Sequence, residues 1–218
     1  MFSRTGVDRL LRAGHLEVNI QATIETLVAD SFRSIDDGLM RLRRNTTLRL
    51  LRRGVDRHHC ETALNRMKLL VPAGLAGTYQ WHDGTDTSTG VTLDDLHLFP
   101  GFYFLSLDDA IKNYEAFRQD SRWNPAWLPL FANGGGDFYA VVCRERDVDW
   151  GRVVHFRIDE ANHPVEFSSL STFLATIAAG YDSSLFFVDS RGYLEMDDMA
   201  WVALAARLNP DVAYWHIE

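Results

Sequence analysis

The stretch WNPAWLPLFANGGGDFYAVV, residues 123–142, predicts the core of the fold. Its two prolines interrupt any helix and favour extended backbone at the residue before each, so residues 127–130 are predicted to form a short strand or an extended edge. The three glycines at 134–136 permit positive φ angles and a close approach of backbone to backbone. Residues 138–142 are rich in β-branched and aromatic types, which is typical of a buried strand. We therefore predict an extended segment, a glycine turn and a strand, forming the corner where a sheet is assembled.

Glycine-rich loops also bind phosphate, so the three glycines have a second interpretation. A phosphate-binding loop leads into a helix N-terminus and carries Lys followed by Ser or Thr. Here a strand is predicted after the glycines, and no such pair follows them. We expect a turn at residues 134–136.

Length and composition indicate a soluble globular protein with one main domain and an appendage. The chain has 218 residues, of which 46% are apolar and 24% are charged. No apolar run approaches the roughly 18 residues that a membrane span needs, and the first residues lack the apolar segment of a secretory signal. Because Cys60 and Cys143 are the two cysteines, a disulfide framework is not expected and the predicted location is the cytoplasm.

The net charge of -8 is unevenly distributed along the chain. Residues 1–54 carry ten arginines against six acids, a charge of +4, whereas residues 55–218 carry a charge of -12. The negative charge of residues 55–218 repels nucleic acid and attracts cationic partners, and the attraction raises the rate at which such partners are encountered. Solubility alone is the other explanation of such a charge.

Residues 1–53 are predicted to form an N-terminal helical extension, and residues 54–218 the main domain. Apolar side chains recur from Ile20 at spacings of three and four, which predicts an amphipathic helix over residues 18–36. A second, arginine-rich helix is expected over residues 39–53. Basic helices occur on membranes and nucleic acids, but this one lacks the aromatic apolar face of such elements. We expect its arginines to lie against the acidic main domain or in solvent.

The rest of the chain alternates helices with short strands and lacks βαβ periodicity. A strand over residues 151–159 is expected to pair with residues 138–143, and residues 164–167 read as a short edge piece. Further helices are predicted near residues 56–67, 72–81, 107–117, 168–179 and 197–208. The predicted class is α+β, with a central, mostly antiparallel sheet flanked by helices and an N-terminal helical extension.

No group of residues predicts a catalytic or metal centre. The run from His58 to Cys60 could suggest a metal site, but adjacent residues of a helix point about 100° apart and no second pair at ligand spacing follows. The carboxylate pairs at 94–95, 108–109 and 197–198 are expected to cap helices or turns. Cys143 lies in a predicted buried strand, where a thiol is inert. We expect no catalytic residues, no bound metal and no cofactor.

Five segments, in order, resemble the SUKH superfamily, the Smi/Knr group of fungal cell-wall-synthesis regulators and bacterial immunity proteins. They are residues 75–84, 102–111, 123–139, 151–154 and 167–174. The resemblance covers roughly residues 54–218 and implies an α+β fold and a non-enzymatic role. Bacterial members of the superfamily bind and neutralise a cognate toxin, often a nuclease, whereas fungal members are regulatory hubs. The N-terminal extension is longer than the family pattern needs.

Two hypotheses of function follow. In the first, the chain is an immunity-like protein that binds a basic toxin domain through acids set around exposed tryptophan edges. The predicted partner-binding residues are Asp83, Trp123, Asp137, Asp147 and Asp149, with Trp123 and Asp137 as rim candidates. Trp81 and Trp127 are expected to belong to the core instead. In the second hypothesis, the chain is a regulator or scaffold that binds a peptide or small ligand in a groove lined by the Trp/Pro stretch. Neither nucleic acid nor membrane is a predicted partner.

Overall fold

The computed structural model describes residues 4–88 and 90–216, with side chains from residue 22 onward. The helices are α1 (Arg4–Arg41), α2 (Asn45–Leu50), α3 (Arg57–Arg66), α4 (Leu75–Trp81), α5 (Leu93–Leu96), α6 (Leu107–Phe117), α7 (Leu170–Asp182) and α8 (Asp198–Leu208). The strands are β1 (Leu51–Arg53), β2 (His82–Thr85), β3 (Tyr103–Phe104), β4 (Trp127–Ala132), β5 (Phe138–Val142), β6 (Val153–Phe156), β7 (Val165–Phe167), β8 (Phe186–Val188) and β9 (Leu194–Met196). A 3₁₀ turn follows over Ala213–His216. The predicted α+β class is confirmed.

The largest sheet has five antiparallel strands in the order β3-β4-β5-β6-β7. β4, the glycine turn and β5 correspond to the predicted extended segment, turn and strand, and the two strands pair so that Leu128 faces Val141 and Ala132 faces Phe138. β5 pairs with β6, and β7 lies at the edge, as the sequence predicts for both. β1 pairs with β2 and β8 with β9 in two smaller sheets.

The glycine turn between β4 and β5 has the conformation that its sequence predicts. Gly134 and Gly136 take φ angles of 78° and 108°, which side chains other than glycine rarely adopt. The side-chain oxygen Oδ1 of Asn133 accepts hydrogen bonds from the backbone N–H groups of Gly135 at 2.7 Å and Asp137 at 3.0 Å. The turn is therefore held by its own side chains, and a strand follows it.

Helices cover both faces of this sheet, which is why every residue of β5 is buried. On one face, the Phe173 ring of α7 packs against Tyr139 of β5, with ring centroids 4.9 Å apart. On the other face, the Phe117 ring of α6 packs against Phe138, with centroids 5.0 Å apart. α1 packs on α7 and buries Ile35 in the same hydrophobic core.

The first helix is longer than predicted and spans 38 residues. The predicted apolar position Ile20 lies outside the side chains that the structure describes. Helix α1 ends where Arg43 takes a left-handed φ of 58°. The N–H group of Arg44 then donates to the carbonyl of Leu39 at 2.8 Å, which closes the helix end.

The prediction of one arginine-rich helix over residues 39–53 is wrong. The short α2 is followed by β1, whose Leu51 pairs with Thr85 of β2. Residues 82–84, predicted as the turn after a helix, are therefore also part of a strand. Leu50 and Leu51 are buried in succession, and the extended backbone at Leu51 ends α2.

The C-terminal part of the described chain packs back on the sheet, as predicted for Tyr214 and Trp215. The indole Nε1 of Trp215 donates a hydrogen bond to the backbone carbonyl of Glu166 in β7. Asn209 follows α8, is fully buried, and accepts a hydrogen bond from the N–H of Ser168 at 3.0 Å. No helix among residues 4–88 and 90–216 is long and apolar enough to cross a membrane.

Candidate protein-binding surface

Trp123 lies in the core, not at a rim. Only 4% of its surface is exposed. Its ring packs edge-on against Phe156 and Trp127, with centroids 5.0 Å and 5.7 Å away. The expectation of an exposed tryptophan edge at this position is corrected, because the β5–β6 hairpin and α6 close over the indole and leave no face of the ring to a partner.

Trp81 and Trp127 are partly buried and pack against the core, as expected. The Trp81 ring stacks on Phe32 at 4.3 Å, and its Nε1 donates to the carboxylate of Asp36 at 3.2 Å. Burial raises the pKa of that Asp36 carboxyl. Trp127 meets His163 edge-on at 5.9 Å. Both tryptophans therefore help to hold the fold.

Asp137 joins the glycine turn to the end of β6. One carboxylate oxygen accepts a hydrogen bond from the backbone N–H of Ile158 at 2.9 Å, and the other accepts one from Nδ2 of Asn133 at 2.8 Å. Both oxygens thus have partners within the chain. The side chain is part-exposed, so its charge still contributes to the surface potential.

Asp147 and Asp149 lie together in the turn between β5 and β6. The carboxylate of Asp147 accepts a hydrogen bond from the N–H of Asp149 at 3.0 Å and one from Nδ2 of Asn124 at 3.4 Å. A carboxylate oxygen of Asp149 lies 3.7 Å from a guanidinium nitrogen of Arg152. Val148, between the two aspartates, is 92% exposed. This turn presents an apolar side chain between two acids.

Asp83 is placed on a different element from the other candidates. It lies in β2, and its carboxylate accepts a hydrogen bond from the N–H of Leu107 at 2.8 Å, at the first turn of α6. The structure thus brings Asp147 and Asp149 together in one turn, whereas Asp83 is bonded to the first turn of α6. Binding of a partner at Asp83, Asp137, Asp147 and Asp149 stays a prediction, whereas Trp123 is a core residue.

The arginine-rich segment partly lies against acids, as expected. Arg44 is only 8% exposed, and its guanidinium donates to the carboxylate of Asp94 at 2.6 Å. Asp94 also accepts a hydrogen bond from the N–H of Leu194 at 2.9 Å, so one ion pair ties the end of α1 to α5 and β9. Arg52 pairs with Asp86 at 3.2 Å, while Arg43, Arg49 and Arg53 are exposed.

A buried polar cluster around Glu166 of β7 is not foreseen by the sequence analysis. Glu166 is 1% exposed, and its carboxylate lies within 3.0 Å of a donor atom of each of three side chains. These donors are the Tyr139 hydroxyl at 3.0 Å, Nδ1 of His155 at 3.0 Å and a guanidinium nitrogen of Arg157 at 2.8 Å. Burial beside the carboxylate raises the pKa of the Tyr139 hydroxyl. The signal for this cluster in the sequence is a single acid, Glu166, between the apolar residues Val165 and Phe167 of a short strand.

The chain also has open grooves outside the predicted Trp/Pro stretch. One of about 710 Å³ is bordered by Arg53, His59, Trp81 and His82. Side chains of Trp123, Leu128 and Leu130 are used by the core, so the Trp/Pro stretch offers little lining for a ligand. Among the described residues, no group of three or more His, Cys, Asp or Glu side chains is arranged to hold a metal ion.

The fold and the positions of the acids define a class of protein. The chain is an α+β protein with a five-stranded antiparallel sheet, helices on both faces, and acids held in turns and helix caps. The sequence model of the SMI1 / KNR4 family (SUKH-1) matches residues 63–176, more than half of the chain, and the chain belongs to this family. A search of curated proteins found no match.

Proposed function

We propose that this chain is a protein-binding module of the immunity type, which binds and neutralises a toxin domain with a basic surface, such as a nuclease. Membership of the SMI1 / KNR4 family carries the proposal. Bacterial proteins of the SUKH superfamily, which the chain resembles, act in this way.

The charge of the main domain supports a basic partner. Residues 55–218 carry -12, and a basic toxin surface that binds nucleic acid is complementary to an acidic one. Asp83, Asp137, Asp147 and Asp149 contribute to that potential even where their oxygens have partners within the chain, because Coulomb attraction at the encounter stage acts over a distance of about 10 Å. In this proposal Trp123 belongs to the core and does not contact the partner.

The buried position of both thiols argues against catalysis by a cysteine nucleophile. Cys60 and Cys143 are free and buried. Burial raises the pKa of the Cys60 thiol to about 12 and also raises that of Cys143. A thiol that stays protonated at neutral pH is a poor nucleophile.

A regulator or scaffold that binds a peptide or small ligand is the second candidate. The groove of about 710 Å³ beside Trp81 supports it, because its volume falls in the range of ligand sites and it combines an aromatic ring with Arg53 and two histidines. Its location differs from the Trp/Pro stretch that the sequence analysis favoured.

Co-expression with the product of the adjacent reading frame tests the immunity proposal. We expect that product to arrest growth when expressed alone and growth to recover when this chain is present. A variant of this chain with a disrupted core, such as Phe156→Asp, serves as the control that should not protect. If the product is harmless alone, or if its toxicity is undiminished by this chain, the proposal is wrong.

A further inference from the structure

A small polar pocket lies where two sheets of the fold meet. We call it the β2–β3 pocket; its volume is about 220 Å³. β2 belongs to a two-stranded sheet, β3 is an edge strand of the five-stranded sheet, and the two strands are not paired with each other. The backbones touch at Gly84, where a Cβ atom would lie 2.1 Å from the backbone nitrogen of Ser106. The pocket begins at the next residue of β2, Thr85.

Hydroxyl groups without hydrogen-bond partners line the β2–β3 pocket. Thr85 is 1% exposed, and its Oγ1 is buried without a partner among the residues that the structure describes. A hydroxyl in that position costs free energy, because it has given up its hydrogen bonds to water. The hydroxyls of Thr87 and Tyr103 also border the pocket and form no hydrogen bond within the described part of the chain. Burial raises the pKa of the Tyr103 hydroxyl, so at neutral pH it keeps its proton and can donate it.

Helix α6 forms the third wall of the pocket. Asp109, Lys112 and Asn113 contribute to this wall, and their spacing of three and four places them on one side of the helix. Nζ of Lys112 donates to a carboxylate oxygen of Asp109 at 3.2 Å. Nδ2 of Asn113 donates to the backbone carbonyl of Asp109 at 2.8 Å, which leaves the side-chain oxygen of Asn113 as an acceptor. The wall therefore carries one positive and one negative charge, which balance each other.

The groups around the pocket indicate the chemistry of its ligand. A carboxylate on a ligand would be attracted by Lys112 and repelled by Asp109, and an ammonium group would meet the opposite pair of forces, so neither sign of charge is favoured. Hydroxyl groups both donate and accept hydrogen bonds, and a ligand with several of them is complementary to Thr85 and Tyr103. Phe104 adds an apolar surface for the C–H groups of such a molecule. The volume is below the roughly 300–1,000 Å³ of sites for drug-sized molecules, so the ligand is small.

We propose that the β2–β3 pocket is a binding site for a small neutral polyhydroxy compound, a polyol or a monosaccharide. The site is separate from the groove beside Trp81, with which it shares no lining residue. The proposal goes beyond the immunity function and does not rest on it, since the ligand binds to this chain without a protein partner.

Titration of the full chain, followed through its amide chemical shifts by NMR, tests the site. The neutral probes are myo-inositol, a polyol, and D-glucose, a monosaccharide, and they distinguish the two sources of this chemistry. Acetate and ethylammonium are the charged probes. We expect saturable shifts with at least one neutral probe, centred on residues 85–87 and 103–105, which border the pocket. Neither charged probe should give saturable shifts there.

Variants that remove one hydroxyl and keep the shape of the side chain identify the contacts. Thr85→Val should weaken binding at least about tenfold. Its thermal unfolding should match that of the wild type, because the lost hydroxyl has no partner within the described fold. Thr85→Ser keeps the hydroxyl and should restore binding, and Tyr103→Phe should weaken binding as Thr85→Val does. Tyr193→Phe is the matched control, because Tyr193 is 45% exposed and lies outside the pocket.

Three results would overturn the proposal. The first is the absence of saturable shifts with both neutral probes, which would mean that water alone meets the needs of these hydroxyls. The second is tighter binding of acetate or ethylammonium than of the neutral probes. The third is wild-type affinity in both Thr85→Val and Tyr103→Phe. If Thr85→Val unfolds at a lower temperature than the wild type, the affinity of Tyr103→Phe alone decides the question.

Discussion

At the scale of single residues, the buried charges of this chain join elements that are distant in sequence. Arg44 and Asp94 connect the end of α1 to α5, and Glu166 gathers donors from β5 and β6. Breaking such a buried pair costs about 3–5 kcal/mol, because the remaining charge has no water to solvate it. The same residues are therefore poor candidates for contact with a partner, since their hydrogen-bonding capacity is already used.

Gly136 allows a direct test of the turn that organises the sheet. A Cβ atom at this position would lie 2.7 Å from Cδ1 of Ile158, and the φ angle of 108° is unfavourable for alanine. We expect Gly136→Ala to lower the free energy of unfolding by about 1–3 kcal/mol in urea denaturation. Gly90→Ala is the control, because a Cβ there meets nothing within 4 Å. Equal stability of the two variants would contradict the strain assigned to the turn.

His97 should make stability depend on pH. Burial lowers its pKa from the ordinary 6.5, and the positive charge of Arg44 lowers it further, while Asp94 opposes the shift. As the pH falls below 6.5, the unfolded chain binds a proton that the folded chain does not yet bind, so the free energy of unfolding decreases until the folded pKa is passed.

We therefore expect His97→Gln to lose less stability than the wild type when urea unfolding is compared at neutral and mildly acidic pH. His58→Gln, at an exposed position, should follow the wild-type pH dependence. A His97→Gln curve parallel to that of the wild type would show that this histidine does not contribute.

At the scale of elements, α1 is joined to the main domain through α7. Ile35 and Leu39 are fully buried, and a Cβ on Gly38 would lie 2.4 Å from the Tyr181 ring, so the two helices approach closely at that point. The division between residues 1–53 and 54–218 remains a prediction of the sequence, and the α1–α7 contact gives a way to test it.

We expect Ile35→Ala to lower the free energy of unfolding by about 2–5 kcal/mol in a single cooperative transition. Leu27→Ala, at a position 41% exposed, should change it much less. If Ile35→Ala instead alters only a separate early transition and leaves the main one unchanged, residues 1–53 fold as an independent unit.

Elements whose signals are local were predictable from the sequence, and those decided by distant contacts were not. Prolines, glycines and β-branched residues within 123–142 are sufficient to predict the extended segment, the turn and the strand that form β4 and β5. The end of α1 was missed because the left-handed residue there is Arg43, where glycine is the usual signal. The burial of Trp123 was missed because Phe138 and Phe156, which belong to later strands, pack on its ring together with Phe117 of α6.

At the scale of the whole molecule, charge and apolar surface are divided between regions. The β5–β6 turn presents acids around one exposed valine, and the outer side of α8 presents Met199 and Val202, which are 82% and 45% exposed. Long-range attraction sets the rate of encounter with a basic partner, and close apolar contact sets how slowly the complex dissociates. The association rate constant therefore tests the acids of the β5–β6 turn, and the dissociation rate constant tests the exposed apolar side chains of α8.

Asp149→Lys should slow association with the partner identified by co-expression and flatten its dependence on salt. Glu115→Lys is the control on α6, with the same change in charge. Association and dissociation rates are measured by surface plasmon resonance at several salt concentrations. An unchanged association rate in Asp149→Lys would remove the β5–β6 turn from the acidic surface that attracts the partner.

The hydrogen bond from Trp215 to β7 has a consequence for how the chain is made. β7 is the last strand of the sheet, and strand edges left open can pair with other chains and aggregate. Trp215 lies 49 residues after Glu166, so the ribosome completes the edge strand well before it supplies the group that caps its carbonyl. Until Trp215 is made, the carbonyl of Glu166 lacks this cap, which leaves part of the β7 edge open to pairing with another chain.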